Sequence, residues 1–137
     1  MDKQQILNKI NSMSKNSAVE NLGIIITDFG DKYICGKMPV DKRTIQPYGL
    51  LHGGASVLLA ESLGSIAGNM AVNMDKQTVV GVEVNANHIK PARDGWVNGK
   101  ATAISLGKRF QVWKIQITNE NNELICDSRL TLAVIKK

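Results

Sequence analysis

The chain has 137 residues, 43% of them hydrophobic and only 4% aromatic, with 17 basic and 12 acidic side chains and a formal charge of +5. That is enough for one domain, 1–137, with its own core. No apolar run has the length of a membrane span, and the first residues lack the apolar stretch of a secretory signal. Cys35 and Cys126 are too few and too far apart for a disulfide framework or a metal knuckle, so the expectation is a cytoplasmic protein with reduced thiols and no metal.

The excess charge offers little to a polymer. Six aromatics cannot interleave a basic stripe as a nucleic-acid reader requires, so no nucleic-acid partner is expected. Lys90, Arg93, Lys108 and Arg109 form two short basic stretches in the second half. The phosphates of a small anionic ligand would suit four such cations, and a solvated surface accounts for them almost as well.

In chain order, Ile6, Leu7, Ile10 and Met13 recur at helical spacing and predict an amphipathic helix near the N-terminus, within 1–15. Leu22 to Phe29 and Tyr33 to Val40 are β-branched-rich runs around Phe29-Gly30-Asp31-Lys32, a hairpin. A loop with Pro47 and Gly49 leads into one long helix, 53–73, apolar nearly all round and therefore buried.

After that helix the period falls to two. Val80, Val82, Val84 and Ala86 alternate with polar residues, as do Trp113, Ile115 and Ile117, and then Leu124 to Val134, with Trp96 to Ser105 as a further strand. The order specifies an α+β domain in which a curved antiparallel sheet wraps the central helix.

Two features could carry chemistry. Glu61 is the only acid between Asp41 and Asp75 and sits in the most apolar helix, where a lone carboxylate is paired, solvated or functional; Ser65 lies one turn on, on the same face. Just before the helix runs Gln46-Pro47-Tyr48-Gly49-Leu50-Leu51-His52-Gly53-Gly54. Free N–H groups at a glycine-bearing helix start could polarise a carbonyl, with Gln46 and His52 as further donors, although the motif taken alone favours a capped helix start with a satisfied histidine. Glu61 lies roughly 12 Å along the axis from Gly53, so it cannot serve its own helix N-terminus. Two copies with antiparallel central helices would bring Glu61 of one to His52 and Gly53 of the other, and the Gly64/Gly68 spacing would suit either such an approach or packing within the chain.

The run from Pro39 through His52-Gly53-Gly54 and Glu61 to Ser65 closely resembles the helix motif of hotdog-fold acyl-CoA thioesterases, in the 4-hydroxybenzoyl-CoA thioesterase subgroup with a helix glutamate. The likeness continues through Val80 to His88, Gln111-Val112-Trp113 and Ser128 to Thr131. It implies a sheet wrapped around one helix, homodimers or homotetramers with shared sites, and hydrolysis of an aryl- or naphthoyl-CoA thioester, a naphthoyl-CoA of menaquinone synthesis being one candidate. By position, Glu61 would be nucleophile or general base, Gly53 with Gln46 and His52 would polarise the carbonyl, and Ser65 would assist. Substrate contacts would fall on Gly81, on His88, Ile89, Lys90 and Pro91, and on Ser105, Leu106, Gly107, Lys108, Arg109 and Phe110. Coenzyme A is then part of the substrate and no cofactor is expected. Ser105 and Phe110 stand where close relatives tend to carry histidines. A hotdog hydratase and a non-catalytic acyl-CoA-binding domain are the alternatives.

Overall fold

A computed structural model describes residues 1–137. Helix α1 (Lys3–Met13) opens with a capping box: Gln5 N–H donates to the Asp2 carboxylate at 2.8 Å, and the Gln5 side chain accepts from Asp2 N–H. It is shorter than the 1–15 expected. A single turn, α2 (Ala18–Asn21), follows where the sequence suggested none, so strand β1 (Ile25–Gly30) begins three residues later than the apolar run at Leu22. β1 turns into β2 (Tyr33–Pro39) through Asp31 and Lys32, and Lys32, not Gly30, takes the left-handed conformation.

The central helix α3 spans Gly53–Met70 rather than 53–73. Ala71 caps it, and beyond the cap the Asn73 carbonyl accepts from Lys76 and Gln77 N–H in a turn that leads into β3 (Gln77–His88). Strands β4 (Trp96–Leu106), β5 (Phe110–Thr118) and β6 (Leu124–Lys136) complete one antiparallel sheet of order β1-β2-β4-β5-β6-β3. It wraps α3 as the hotdog resemblance implies.

The core forms where Leu59, Leu63 and Ala67 of α3 meet Ile34, Met38, Val97, Ile115, Leu130 and Leu132 of the sheet. Close approach comes from glycines: a methyl on Gly68 would lie 2.5 Å from Leu132, and one on Gly64 would collide with Leu130. The Gly64/Gly68 pair therefore serves the sheet of its own chain. Gln111, the most polar group in the core, donates from Nε2 to the Gly68 carbonyl at 3.2 Å and accepts from Trp113 Nε1 at 2.9 Å.

Two expectations of burial fail. Only one face of α3 is covered; Leu58, Glu61, Ser62, Ser65 and Ile66 on the other are half-exposed. In β3, a bulge between Gly81 and Glu83 breaks the alternation, so Val79 and Val84 turn inward while Val80 and Val82 are 45% and 57% exposed. The two sheet edges differ as well. Asn11 of α1 makes both an acceptor and a donor bond to the backbone of Ile26, engaging edge strand β1, whereas β3 has no strand on its outer side and only its Val79 N–H is taken up, by Asn69.

Candidate active site

The loop from Asp41 to His52 is built to hold a fixed shape. Buried Thr44 donates from Oγ1 to the Pro39 carbonyl at 2.7 Å, its own carbonyl accepts from His52 N–H at 2.8 Å, and Leu51 N–H bonds the Ala92 carbonyl at 2.8 Å. Arg43 clamps Asp41 through its side chain and backbone N–H, holding that carboxyl down at about 2. Gly49, at φ +85°, closes the turn, and Gln46 Oε1 accepts from Tyr48 N–H at 2.5 Å and Leu50 N–H at 3.4 Å. With its oxygen engaged by two backbone donors, Gln46 keeps its amide N–H₂ to offer.

At the helix start His52 is the N-cap: Nδ1 accepts from Gly54 N–H at 2.8 Å, while Ala55 and Ser56 N–H bond the His52 carbonyl. That leaves Gly53 N–H as the open donor of the first turn. Gln46, Gly53 and Ser56 line a cleft of about 300 Å³ together with His88, Lys90 and Pro91. His88 lies directly over Gly53, its Nε2 2.9 Å from where a Cβ would stand. His52 is not among the lining residues: the structure assigns its Nδ1 to capping, and His88, expected only as a substrate contact, occupies the position beside Gly53.

Glu61 and Ser65 open onto a different depression, a groove of about 340 Å³ on the uncovered face of α3 with Leu58, Ser62, Ile66 and Val19. They do not bond each other. Glu61 Oε2 rests against β3, 2.5 Å from the point a Cβ on Gly81 would occupy, and Ser65 uses its carbonyl to accept from Asn69 Nδ2 at 3.2 Å. Asn69 is a residue the sequence reading missed. Its Oδ1 accepts from Thr78 Oγ1 at 3.0 Å and Val79 N–H at 3.2 Å, so it staples the last turn of α3 to β3 two residues before Gly81. The polar stripe 61–65–69, one residue per turn, was the available signal.

The two expected substrate-contact stretches lie at opposite ends of the sheet. His88 pairs with Cys126 at the end near the α3 N-terminus, whereas Phe110 pairs with Ala133, itself opposite Val80, placing the 105–110 hairpin near the α3 C-terminus. Lys90, Arg93, Lys108 and Arg109 therefore form no single cluster within one chain, because the alternating antiparallel strands separate what the second half of the sequence brings close. Lys90 is also engaged by Glu123, whose carboxyl this hydrogen bond, with a second from Asn119, holds below its ordinary range. A further cavity, of about 550 Å³, lies among Phe29, Tyr33, Met70, Leu106 and Trp113 and is lined by none of Gln46, Gly53, His88 and Glu61. Cys126 is buried, which pushes its thiol up and leaves it unreactive.

A polarising N–H pair, a carboxylate on a helix and a sheet wrapped about that helix suit acyl transfer. Residues 48–126 match the thioesterase superfamily, and the chain belongs to that superfamily; it is a hotdog-fold thioester hydrolase. Among its relatives, a thioesterase from Haemophilus influenzae superposes with a TM-score of 0.92 at 52% identity, over 95% of this chain and 90% of that one. The 1,4-dihydroxy-2-naphthoyl-CoA hydrolase of Escherichia coli is 49% identical over 94% of each chain. A thioesterase from Staphylococcus aureus, 37% identical, is known as a glutamine-to-alanine variant (TM-score 0.83, over 85% of this chain and 96% of that one) and as a glutamate-to-alanine variant (TM-score 0.85, over 87% and 98%). No helix here is long and apolar enough to cross a membrane.

Proposed function

We propose that the protein hydrolyses an aromatic acyl-CoA thioester at sites assembled from two copies of the chain. The observation that carries this reading is that each chain has two half-sites. The donor cleft of Gln46, Gly53 and His88 lacks a carboxylate, and the groove of Glu61 and Ser65 has serine hydroxyls but neither a side-chain amide nor a helix-start N–H to hold a carbonyl oxygen. A second copy pairing along the strand-free β3 edge, antiparallel, would bring residues 77–81 of one chain beside 84–88 of the other, and so each Glu61 toward the partner's donor cleft. The same pairing would unite the 88–91 and 105–110 stretches from different chains.

In that arrangement Gly53 N–H and the Gln46 amide hold the thioester oxygen as it gains charge. The Glu61 carboxylate acts on the opposite face of the carbonyl, as base toward water or as nucleophile, with the Ser65 hydroxyl beside it. A C–O bond forms, the C–S bond breaks, and the thiolate departs and takes a proton. The S. aureus variants support the pairing of roles, since their two mutated positions are fifteen residues apart, the separation of Gln46 and Glu61. The E. coli relative supports a naphthoyl-CoA acyl group and, with it, menaquinone synthesis.

Thiol release measured across benzoyl-, naphthoyl- and aliphatic-CoA esters tests the reading, with Glu61→Gln as control. Aromatic esters should turn over fastest, and Glu61→Gln should lower kcat by about 10²–10⁴-fold with little change in KM. An aliphatic preference would reject the acyl assignment, and unchanged turnover would remove Glu61 from the mechanism.

A further inference from the structure

The net charge is not spread over the molecule. Around the α3 C-terminus gather Lys32, Lys76, Lys108, Arg109, Lys136 and Lys137, all exposed, against only Asp31 and Asp75, so this end holds a surplus of four of the formal +5. Lys32 lines a cavity with Met70 and Ala71 at that helix end, and backbone pairing ties the cations to the sheet. The Lys32 carbonyl accepts from Ala103 N–H, that of Lys76 from Lys137 N–H and that of Arg109 from Val134 N–H, while Lys136 pairs with Gln77. Lys76, Lys136 and Lys137 line one depression of about 560 Å³ with Asp75. None of the six makes a salt bridge; the three ion pairs of the chain, Lys3–Asp28, Arg43–Asp41 and Lys90–Glu123, lie elsewhere. At the opposite end Lys42, Arg43, Lys90 and Arg93 are matched by Asp41, Asp94, Glu120 and Glu123.

Six unpaired cations within one end of a small domain repel one another, and the arrangement gains free energy when a polyanion enters it. We propose that this end is an electrostatic funnel for the phosphates of a CoA thioester, in which Lys32, Lys76 and Lys136 raise the capture of a polyanionic thioester over the same acyl group on an uncharged thiol. The proposal rests on the two-chain reading of the site given above. With β3 edges paired antiparallel, the cationic end of one chain flanks the donor cleft of the other, and α3 continues for nine residues, about 14 Å, from Glu61 to Met70. Coenzyme A has a matching build: an uncharged arm separates its sulfur from its three phosphates, so sulfur and phosphates engage different parts of such a surface. Lys32, Lys76 and Lys136 lie outside every stretch expected to touch substrate, so they act at a distance through the field.

The test is the triple variant Lys32→Glu/Lys76→Glu/Lys136→Glu, assayed on benzoyl-CoA and benzoyl-pantetheine at low and at near-physiological salt. The expected result is an unchanged kcat and a kcat/KM for benzoyl-CoA lowered about tenfold at low salt, shrinking as salt rises, with benzoyl-pantetheine unaffected. The corresponding Lys→Gln triple gives a smaller loss of the same kind, and Lys42→Glu at the balanced end gives none. Equal loss on both thioesters, or no loss on the CoA ester, overturns the proposal. Titration with free coenzyme A keeps the two readings apart. Absence of thiol release by the unaltered protein would reject the thioesterase substrate, while the Kd for coenzyme A would still have to weaken in the Glu triple for the funnel to stand.

Discussion

Replacing Gly81 with alanine should separate activity from stability. The added methyl would stand 2.5 Å from Glu61 Oε2 and 3.7 Å from Cδ, with no other atom within 4 Å, so the carboxylate alone must yield. Restoring ordinary contact at 3.4 Å moves it by about 0.9 Å. Glu61 is a flexible side chain on an open groove, so the retreat costs little, and Gly81 is not in the left-handed region, so alanine fits its backbone. Reduced freedom of the unfolded chain then raises stability by about 0.4–1 kcal/mol, a Tm increase of about 2–5 °C. A displacement near 1 Å of a reacting group lowers turnover by about 10–100-fold. Thiol release on the best CoA ester and a thermal melt followed by circular dichroism measure the two effects on one sample. Unchanged kcat would refute the placement of Glu61 against β3, and a lower Tm would refute the claim that only the carboxylate yields.

Two further outcomes test the loop and the helix end. His52→Asn keeps a capping acceptor and should hold kcat within a few-fold, whereas His52→Ala should lose about 1 kcal/mol of stability; a large kcat loss in the asparagine variant would show that the imidazole does more than cap. Asn69→Ala removes the staple between α3 and β3. It should lower kcat several-fold at nearly constant KM, and Asn69→Asp, which keeps the acceptor for Thr78 and Val79, should recover part of the loss; a rise in KM alone would assign Asn69 a different role.

The sequence carried the element order well because each element obeys its own period. The apolar spacing of Ile6 to Met13, the alternation in β5 and β6, and the one long small-residue helix reappear in the fold, with both helices shorter than expected and α3 covered on one face only. What it could not carry depends on contacts between distant segments. The bulge at Val82 turns a regular alternation inside out, and it shows only once Gly81 pairs with Leu132 and Glu83 with Thr131. Gly64 and Gly68 face Leu130 and Leu132, more than sixty residues later, so spacing alone could not choose between a partner helix and the sheet. Glu61 in an apolar helix, and Gln46 and Gly53 around a glycine-bearing helix start, stand out as candidates from residue type and position. The exchange of His52 for His88 beside Gly53 was not legible, because it required β3 to end over the helix start. The grouping of cations also changed: two stretches close in sequence part to opposite ends, and Lys32, Lys76 and the C-terminal lysines join Lys108 and Arg109 instead.

The central claim is that each site takes its carboxylate from one chain and its carbonyl donors from another, and mixed dimers measure it. Glu61→Ala and Gln46→Ala, each nearly inactive alone, are unfolded together, refolded in equal amounts and assayed for thiol release. Random pairing makes half of the dimers mixed, and each of those has one site with both groups intact, so the account predicts recovery to about a quarter of the unaltered activity. A mixture no more active than its parents would place both groups in the same chain's site and contradict it.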